Sequence, residues 1–264
     1  MKGAAPQERI RRPGVLVGRT VIFEILRRRD LYVLLILALL FTAGIIVMNI
    51  VGIENAATAT FLLNLGMTLA SAFAHILVIL ASTRQIPDDV ENRTIYPILA
   101  KPIRRVEYLA GKWAALWLCG VMAYAVLFLL GWAPVPRMES FSGTLLVQVI
   151  GLQILSLGLA VALGLLFSLI LPRGSAALAL AILVFGGGKI VAFLRMKSTG
   201  SFEAPVRWLT AYIPDFGMMN LATRYTDGLG PVAAPEFTFV LLAGVLFTVL
   251  IFAVTHILFD RRPL

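Results

Sequence analysis

Six stretches of the chain, each 19 to 28 residues long, carry almost no charge: residues 31–53, 59–82, 108–132, 144–171, 176–194 and 237–259. Crossing the roughly 30 Å apolar core of a bilayer as a helix takes about 20 residues. Over 264 positions the chain is 59% hydrophobic and only 14% charged, against about 25% charged in soluble domains. A soluble fold would have to bury all six stretches in one core. The expected fold class is therefore all-α, a polytopic membrane protein with six transmembrane helices forming one domain over residues 1–264. Residues 1–30 precede the spans, 31–259 hold them, and 260–264 form a tail.

Lysine and arginine set the orientation. Eight precede residue 31, six lie at the second-to-third loop (Arg84 to Lys112, the last just inside the third span), one lies between the fourth and fifth and two lie in the tail, seventeen in all. The opposite side has Arg137, Arg195, Lys197, Arg207 and Arg224, and Lys189 falls within the fifth span. Basic residues gather on the cytoplasmic side, so both termini and the segment 83–106 are expected there, and segment 195–236 outside. Tyr108, Trp113 and Trp132 agree: Tyr108 to Trp132 is about 36 Å of helix, close to an interface-to-interface distance. The same reasoning turns the net charge of +9 into a topology signal rather than a nucleic-acid footprint. Cys119, the one cysteine, allows no internal disulfide, and no metal-ligand cluster is spaced in the sequence.

The beginning does not read as a cleavable signal peptide, since its basic region is long and no small-residue cleavage site follows a short apolar core. "PGVLVGRTVIFEILRRRD" reads instead as an interfacial amphipathic helix. Val15, Gly18, Ile22, Ile25 and Leu26 share one face, and Arg12, Arg19, Arg27 and Arg28 can reach lipid headgroups. A basic topology signal without a helix of its own is the alternative.

The stretch between the second and third spans is the most unusual. "TRQIPDDVENRTIYPILAKPIRRVEYLAGKW" puts six basic residues, four acidic residues and three prolines between two apolar runs. A turn between spans needs only a few residues. Pro87 suits the first turn of a helix, with Asp88, Asp89 and Glu91 at its positive end. Pro97 ends or kinks that helix, and Ile98 and Leu99 add an apolar patch. The segment is expected to be a short structured knob suited to docking another protein. The alternative is an interfacial loop that only holds two spans together.

The same residues resemble the hallmark of ABC type-2 transporter permeases. In that family an acidic segment leaves the second span, followed by a Thr, a short apolar run, a Pro, an Arg and a Gly-Lys opening the third span. Here these are Asp88, Asp89 and Glu91, then Thr94, then Ile98 and Leu99, then Pro102 and Arg104 or Arg105, then Gly111 and Lys112. The match covers about 30 residues. The layout of an N-terminal amphipathic helix, six spans, a long outer segment containing "YIPDFGMMNL" and an Arg-rich tail agrees more loosely.

The resemblance implies the membrane-spanning subunit of an ABC exporter in a prokaryotic cytoplasmic (inner) membrane, with no cofactor on this chain. The knob would be a coupling helix contacting a separate ATP-binding subunit through Arg84, Asp88, Asp89, Glu91, Arg93, Thr94, Ile98, Leu99 and Arg104. Two such subunits, holding ATP and Mg, and a second permease copy or paralogue would complete the complex in membrane lipids. A non-transporting membrane subunit of a larger assembly is the alternative function.

ATP chemistry is not expected on this chain. "GGGK", Gly186 to Lys189, lacks the Ser or Thr after Lys, and Leu183 stands where a Walker A glycine would be. Intramembrane enzyme chemistry would need paired acids, a Ser–base arrangement or a His–acid cluster at one depth, and no Asp or Glu sits well inside a span. Gly186, Gly187 and Gly188 weaken the helix and are a candidate hinge or a close-packing site. Lys189 beside them either contacts substrate or snorkels to the outer interface. His75 and His256 read as hydrogen-bonded packing residues. Gly158 with Ala162 and Ala160 with Gly164 read as small-residue helix packing. Trp208, Tyr212 and Phe216, at helical spacing, are either an interfacial anchor or a candidate outer gate.

Overall fold

A computed structural model of the chain describes residues 56–91, 104–132, 142–197 and 215–261, with isolated positions between residues 18 and 50. No strand occurs among the described residues. In chain order the elements are α1 (Ala56–Glu91), α2 (Arg105–Gly131), α3 (Gly143–Ile170), α4 (Arg173–Ala181), the π-helical turn Ile182–Gly186, α5 (Gly187–Lys197), α6 (Phe216–Met219), α7 (Thr223–Thr226) and α8 (Ala234–Asp260). The fold is all-α, and five helical stretches are long and apolar enough to cross a membrane: Thr58–Glu91, Arg105–Gly131, Gly143–Ile170, Arg173–Leu194 and Ala234–Asp260.

These are five of the six expected spans. The sixth, 31–53, and the interfacial helix lie outside the described residues apart from the isolated positions. Of those, Tyr32, Ile36, Leu40 and Ile50 are helical and exposed. Two residues of the expected interfacial face touch the bundle. Gly18 lies against the Gly111 carbonyl of α2, and Ile22 packs on the core.

α3 is the central helix. It carries no charge and its apolar residues run round every face, as in a helix buried over most of its length, and Leu157–Leu165 is buried without interruption. α1, α2, α4 and α8 pack around it. Its small residues let them approach. Trp113 and Trp117 of α2 stack with ring centroids 5.3 Å apart beside Gly158. Their indole N–H groups donate to Gly158 O at 3.0 Å and Ile154 O at 2.9 Å. A Cβ on Gly164 would overlap the Ser82 side chain of α1. At the other end of α1 the backbones of Gly66 and Gly131 touch, a Cβ on Gly66 lying 3.3 Å from Gly131 Cα. The small-residue pairs of α3 therefore set helix spacing. Overpacking a tight core costs about 1–3 kcal/mol, so Gly164→Leu is expected to lower the thermal stability of the detergent-solubilised chain. Fluorescence-detected size exclusion after heating measures this, with Gly143→Ala, which has open space around it, as control.

Large apolar side chains left exposed, such as Leu118, Met122, Val126 and Leu129 on α2 and Phe239, Leu242, Leu246 and Leu250 on α8, form rows at helical spacing. They suit contact with lipid tails.

The junction after the second expected span differs from the expectation. Pro87 does not open a new helix. It lies inside α1, which runs 36 residues without a break, about 54 Å at 1.5 Å per residue. Asp88, Asp89 and Glu91 consequently occupy the last turn, at the negative end of the helix dipole. That placement costs roughly 0.3–1 kcal/mol per charge and is offset by cationic partners on other elements. Proline removes one helical hydrogen bond, yet tertiary contacts hold the helix through it, with Gln85 and Ile86 both about 1% exposed.

Candidate functional site

The basic end of the bundle gathers the last turn of α1, the first turns of α2 and α4 and the last turn of α8. Arg104 is the extended residue preceding α2, and its carbonyl accepts from the amides of Glu107 and Tyr108 at 2.9 and 3.2 Å. From this start α2 places Arg105, Tyr108 and Lys112 at successive three- and four-residue steps, on one face.

Lys112 is the centre of the arrangement. Its side chain is 2% exposed. The ammonium pairs with the Asp89 carboxylate, donates to Gln85 O at 3.1 Å and lies 5.0 Å from the Tyr108 ring centroid. Tyr108 donates its hydroxyl proton to the same Asp89 oxygen. Its ring stacks on Phe259 of α8, with centroids 5.8 Å apart and planes 13° from parallel. Arg105 donates to the Phe259 and Asp260 carbonyls at 3.1 and 2.9 Å, groups left open by the end of α8. α1, α2 and α8 are thus fastened together by one buried ion pair and its neighbours.

Asp88 and Glu91 point to a different element. The Arg173 guanidinium, at the first position of α4, lies 3.1 Å from Asp88 Oδ1 and pairs with Glu91. These side chains reach solvent unevenly: Arg173 is 38% exposed, Glu91 68% and Asp88 19%, and the Arg173 Nη2 atom between the acids is itself buried. Arg84 is half-buried on α1. Arg93, Thr94, Ile98 and Leu99 lie outside the described residues.

The second group of expected residues lies along α5 and the segment before α8. The glycines remain helical: Gly186 closes the π-turn and Gly187 opens α5. The Asp215 carboxylate occupies the space where a Gly188 Cβ would be, so the glycine there serves a close approach. Lys189 is exposed. Trp208 and Tyr212 lie outside the described residues. Asp215 is extended and caps a new short helix, accepting from the Gly217 amide at 2.8 Å, and Phe216 opens that helix buried in the bundle.

Phe216 meets the ring of His75 edge-on at 6.2 Å, and Phe185 of the π-turn meets the same ring at 6.3 Å. His75 Nδ1 lies 2.9 Å from Ser71 O. A carbonyl only accepts, so Nδ1 carries the proton in this contact. Nε2 lies 3.3 Å from Ser156 Oγ, and Gln153 donates to Ser71 Oγ at 2.7 Å. Both ring nitrogens are satisfied, as a packing histidine requires. His256 Nε2 sits 3.4 Å from Asp260. On the same helix as Gln153, Gln148 holds the chain leading into α8, donating to Val232 O and accepting from Val232 N, both at 2.9 Å.

In the sequence, Arg173 signals topology alone, and Arg105 and Lys112 signal topology and a motif position. The partners of Lys112 had a signal, since Tyr108 and Lys112 are one turn apart and open a span whose antiparallel neighbour ends in acids. The link from Arg173 to residues 88 and 91 had none.

No relative among individually curated proteins aligns significantly with the chain. The model of one family, described as ABC-2 family transporter protein, matches residues 10–264, nearly the whole chain including every element above. With apolar spanning helices and a charged junction where the permease motif falls, the chain belongs to the ABC-2 transporter permease family.

Proposed function

We propose that the chain is the permease subunit of an ATP-driven exporter of a prokaryotic cytoplasmic (inner) membrane, with both termini in the cytoplasm. Two copies, or one copy and a paralogue, face each other around the pathway. Two separate ATP-binding subunits, which carry ATP and Mg, dock on the segment containing Arg84, Asp88, Asp89, Glu91, Arg93, Thr94, Ile98, Leu99 and Arg104. The observation that carries this reading is the length of α1. A helix of about 54 Å exceeds the roughly 30 Å apolar layer and brings its last turn, with three acids, to the side richest in Lys and Arg. A rigid extension of this kind turns motion of a docked domain into motion of spans.

In the same reading Gly186, Gly187 and Gly188, with Lys189, form a hinge beside the π-turn. Trp208, Tyr212 and Phe216 belong to an outer gate, in which the edge contact of Phe216 with His75 is the inner closure. The test is isolation of the tagged chain from its native membranes in mild detergent. An ATPase subunit is expected to co-purify, and the chain stripped of it is expected to hydrolyse no ATP. Hydrolysis by a preparation free of other proteins, or no associated ATPase, refutes the reading.

A further inference from the structure

The acids at the tip of α1 face the chain itself. Asp89 is occupied by Lys112 and Tyr108, and Asp88 and Glu91 both meet Arg173. Arg173 stands on a rigid corner. Only Leu171 and Pro172 separate α3 from α4. The Leu171 amide still donates to Phe167 O at 2.8 Å, and Ala176 N and Ser175 Oγ both donate to Pro172 O at 2.9 Å. A pull on Arg173 therefore passes into the axis of α4 instead of being absorbed by a loop. α4 leads into the π-turn, whose Phe185 meets His75.

We propose that Arg173 is a positioning residue for coupling. It transmits displacement of the α1 tip into α4 and the π-turn, and Asp88 and Glu91 serve this internal link rather than pairing with the ATPase. This rests on the reading that the segment after α1 docks an ATP-binding subunit. Magnitudes separate this contact from the buried one. The Lys112 pair is 2% and 14% exposed, whereas the Arg173 and Glu91 side chains reach solvent. An ion pair between partly exposed groups adds less stability than a buried one, so its removal costs the fold less while freeing two helices to shift.

The experiment uses the complex isolated through a tag on this chain and placed in lipid nanodiscs, with ATP as the probe. Arg173→Gln is expected to retain co-purified ATPase within about twofold and to lower kcat for ATP hydrolysis about tenfold with KM for ATP unchanged. Arg173→Lys should recover most of that loss. The swap Asp88→Asn, Glu91→Arg, Arg173→Glu should recover more than Asp88→Asn, Glu91→Arg does, because the reversed pair re-forms within the chain. Wild-type kcat in Arg173→Gln overturns the proposal. So does a swap that recovers nothing while the acid variants lose the ATPase, since the acids would then belong to the partner interface. Full ATPase retention by Leu99→Asp sinks the docking reading, and this proposal with it. Wild-type kcat in Arg173→Gln, with Leu99→Asp still losing the ATPase, overturns this proposal alone.

Discussion

Lys112→Met is expected to lower the thermal unfolding midpoint of the detergent-solubilised chain by on the order of 10 °C. The substitution keeps the stem volume but leaves Asp89 charged, with Tyr108 as its remaining described partner. Removing one member of a buried ion pair costs about 3–5 kcal/mol, and for a chain of this size each kcal/mol moves the midpoint by roughly 2–4 °C. The pair need not be irreplaceable. Replacing both members by apolar residues is often neutral, so Lys112→Met with Asp89→Leu should recover most of the loss. Gln85→Leu is the control. The Gln85 amide is buried without a hydrogen-bond partner among the described residues, and removing such an amide should not destabilise. Scanning fluorimetry of the four proteins in one detergent decides the matter. If the double variant is no better than Lys112→Met alone, the ion pair is not the source of the cost.

Leu99→Asp is expected to reduce co-purification of the ATPase by a factor of ten or more at equal membrane expression. On the docking reading Leu99 fills an apolar cleft on the partner. Burial of a Leu-sized side chain is worth roughly 1.5–3 kcal/mol, with 1.4 kcal/mol per factor of ten, and a carboxylate in that cleft adds a desolvation penalty. Glu139→Ala, on the opposite side of the membrane by the charge count, is the control. Equal ATPase recovery for both variants would reduce the segment to a loop between spans.

Which parts of the molecule were legible follows from how local their causes are. The third and sixth expected spans, 108–132 and 237–259, fall within three residues of Arg105–Gly131 and Ala234–Asp260, because hydropathy over 20 residues needs no knowledge of neighbours. Pro87 was misread for the opposite reason. Proline at a first helical turn is a local preference, and at residue 87 it lost to contacts of Ile86, Gln85 and Asp89 with the rest of the bundle. Likewise, the spacing of residues 208, 212 and 216 carries no sign that the Asp215 side chain caps a helix beginning at Phe216. The candidate site was legible as a region and not as a network. Its motif named Lys112, yet only the antiparallel packing of α1 and α2 reveals what Lys112 holds.

If a docked subunit displaces the α1 tip as proposed, the touching backbones of Gly66 and Gly131 supply a pivot near one end of the helix. From residue 66 to Asp89 is about 35 Å of helix, and from residue 66 to His75 about 14 Å. A swing about that crossing is therefore divided by about 2.5 between the tip and His75. A 2 Å displacement at the tip becomes about 0.8 Å at the ring, still enough to stretch a 3.3 Å contact beyond hydrogen-bond range. On the proposed reading the polar contacts around His75 would act as a detent, holding the helix until the load on its long arm is sufficient.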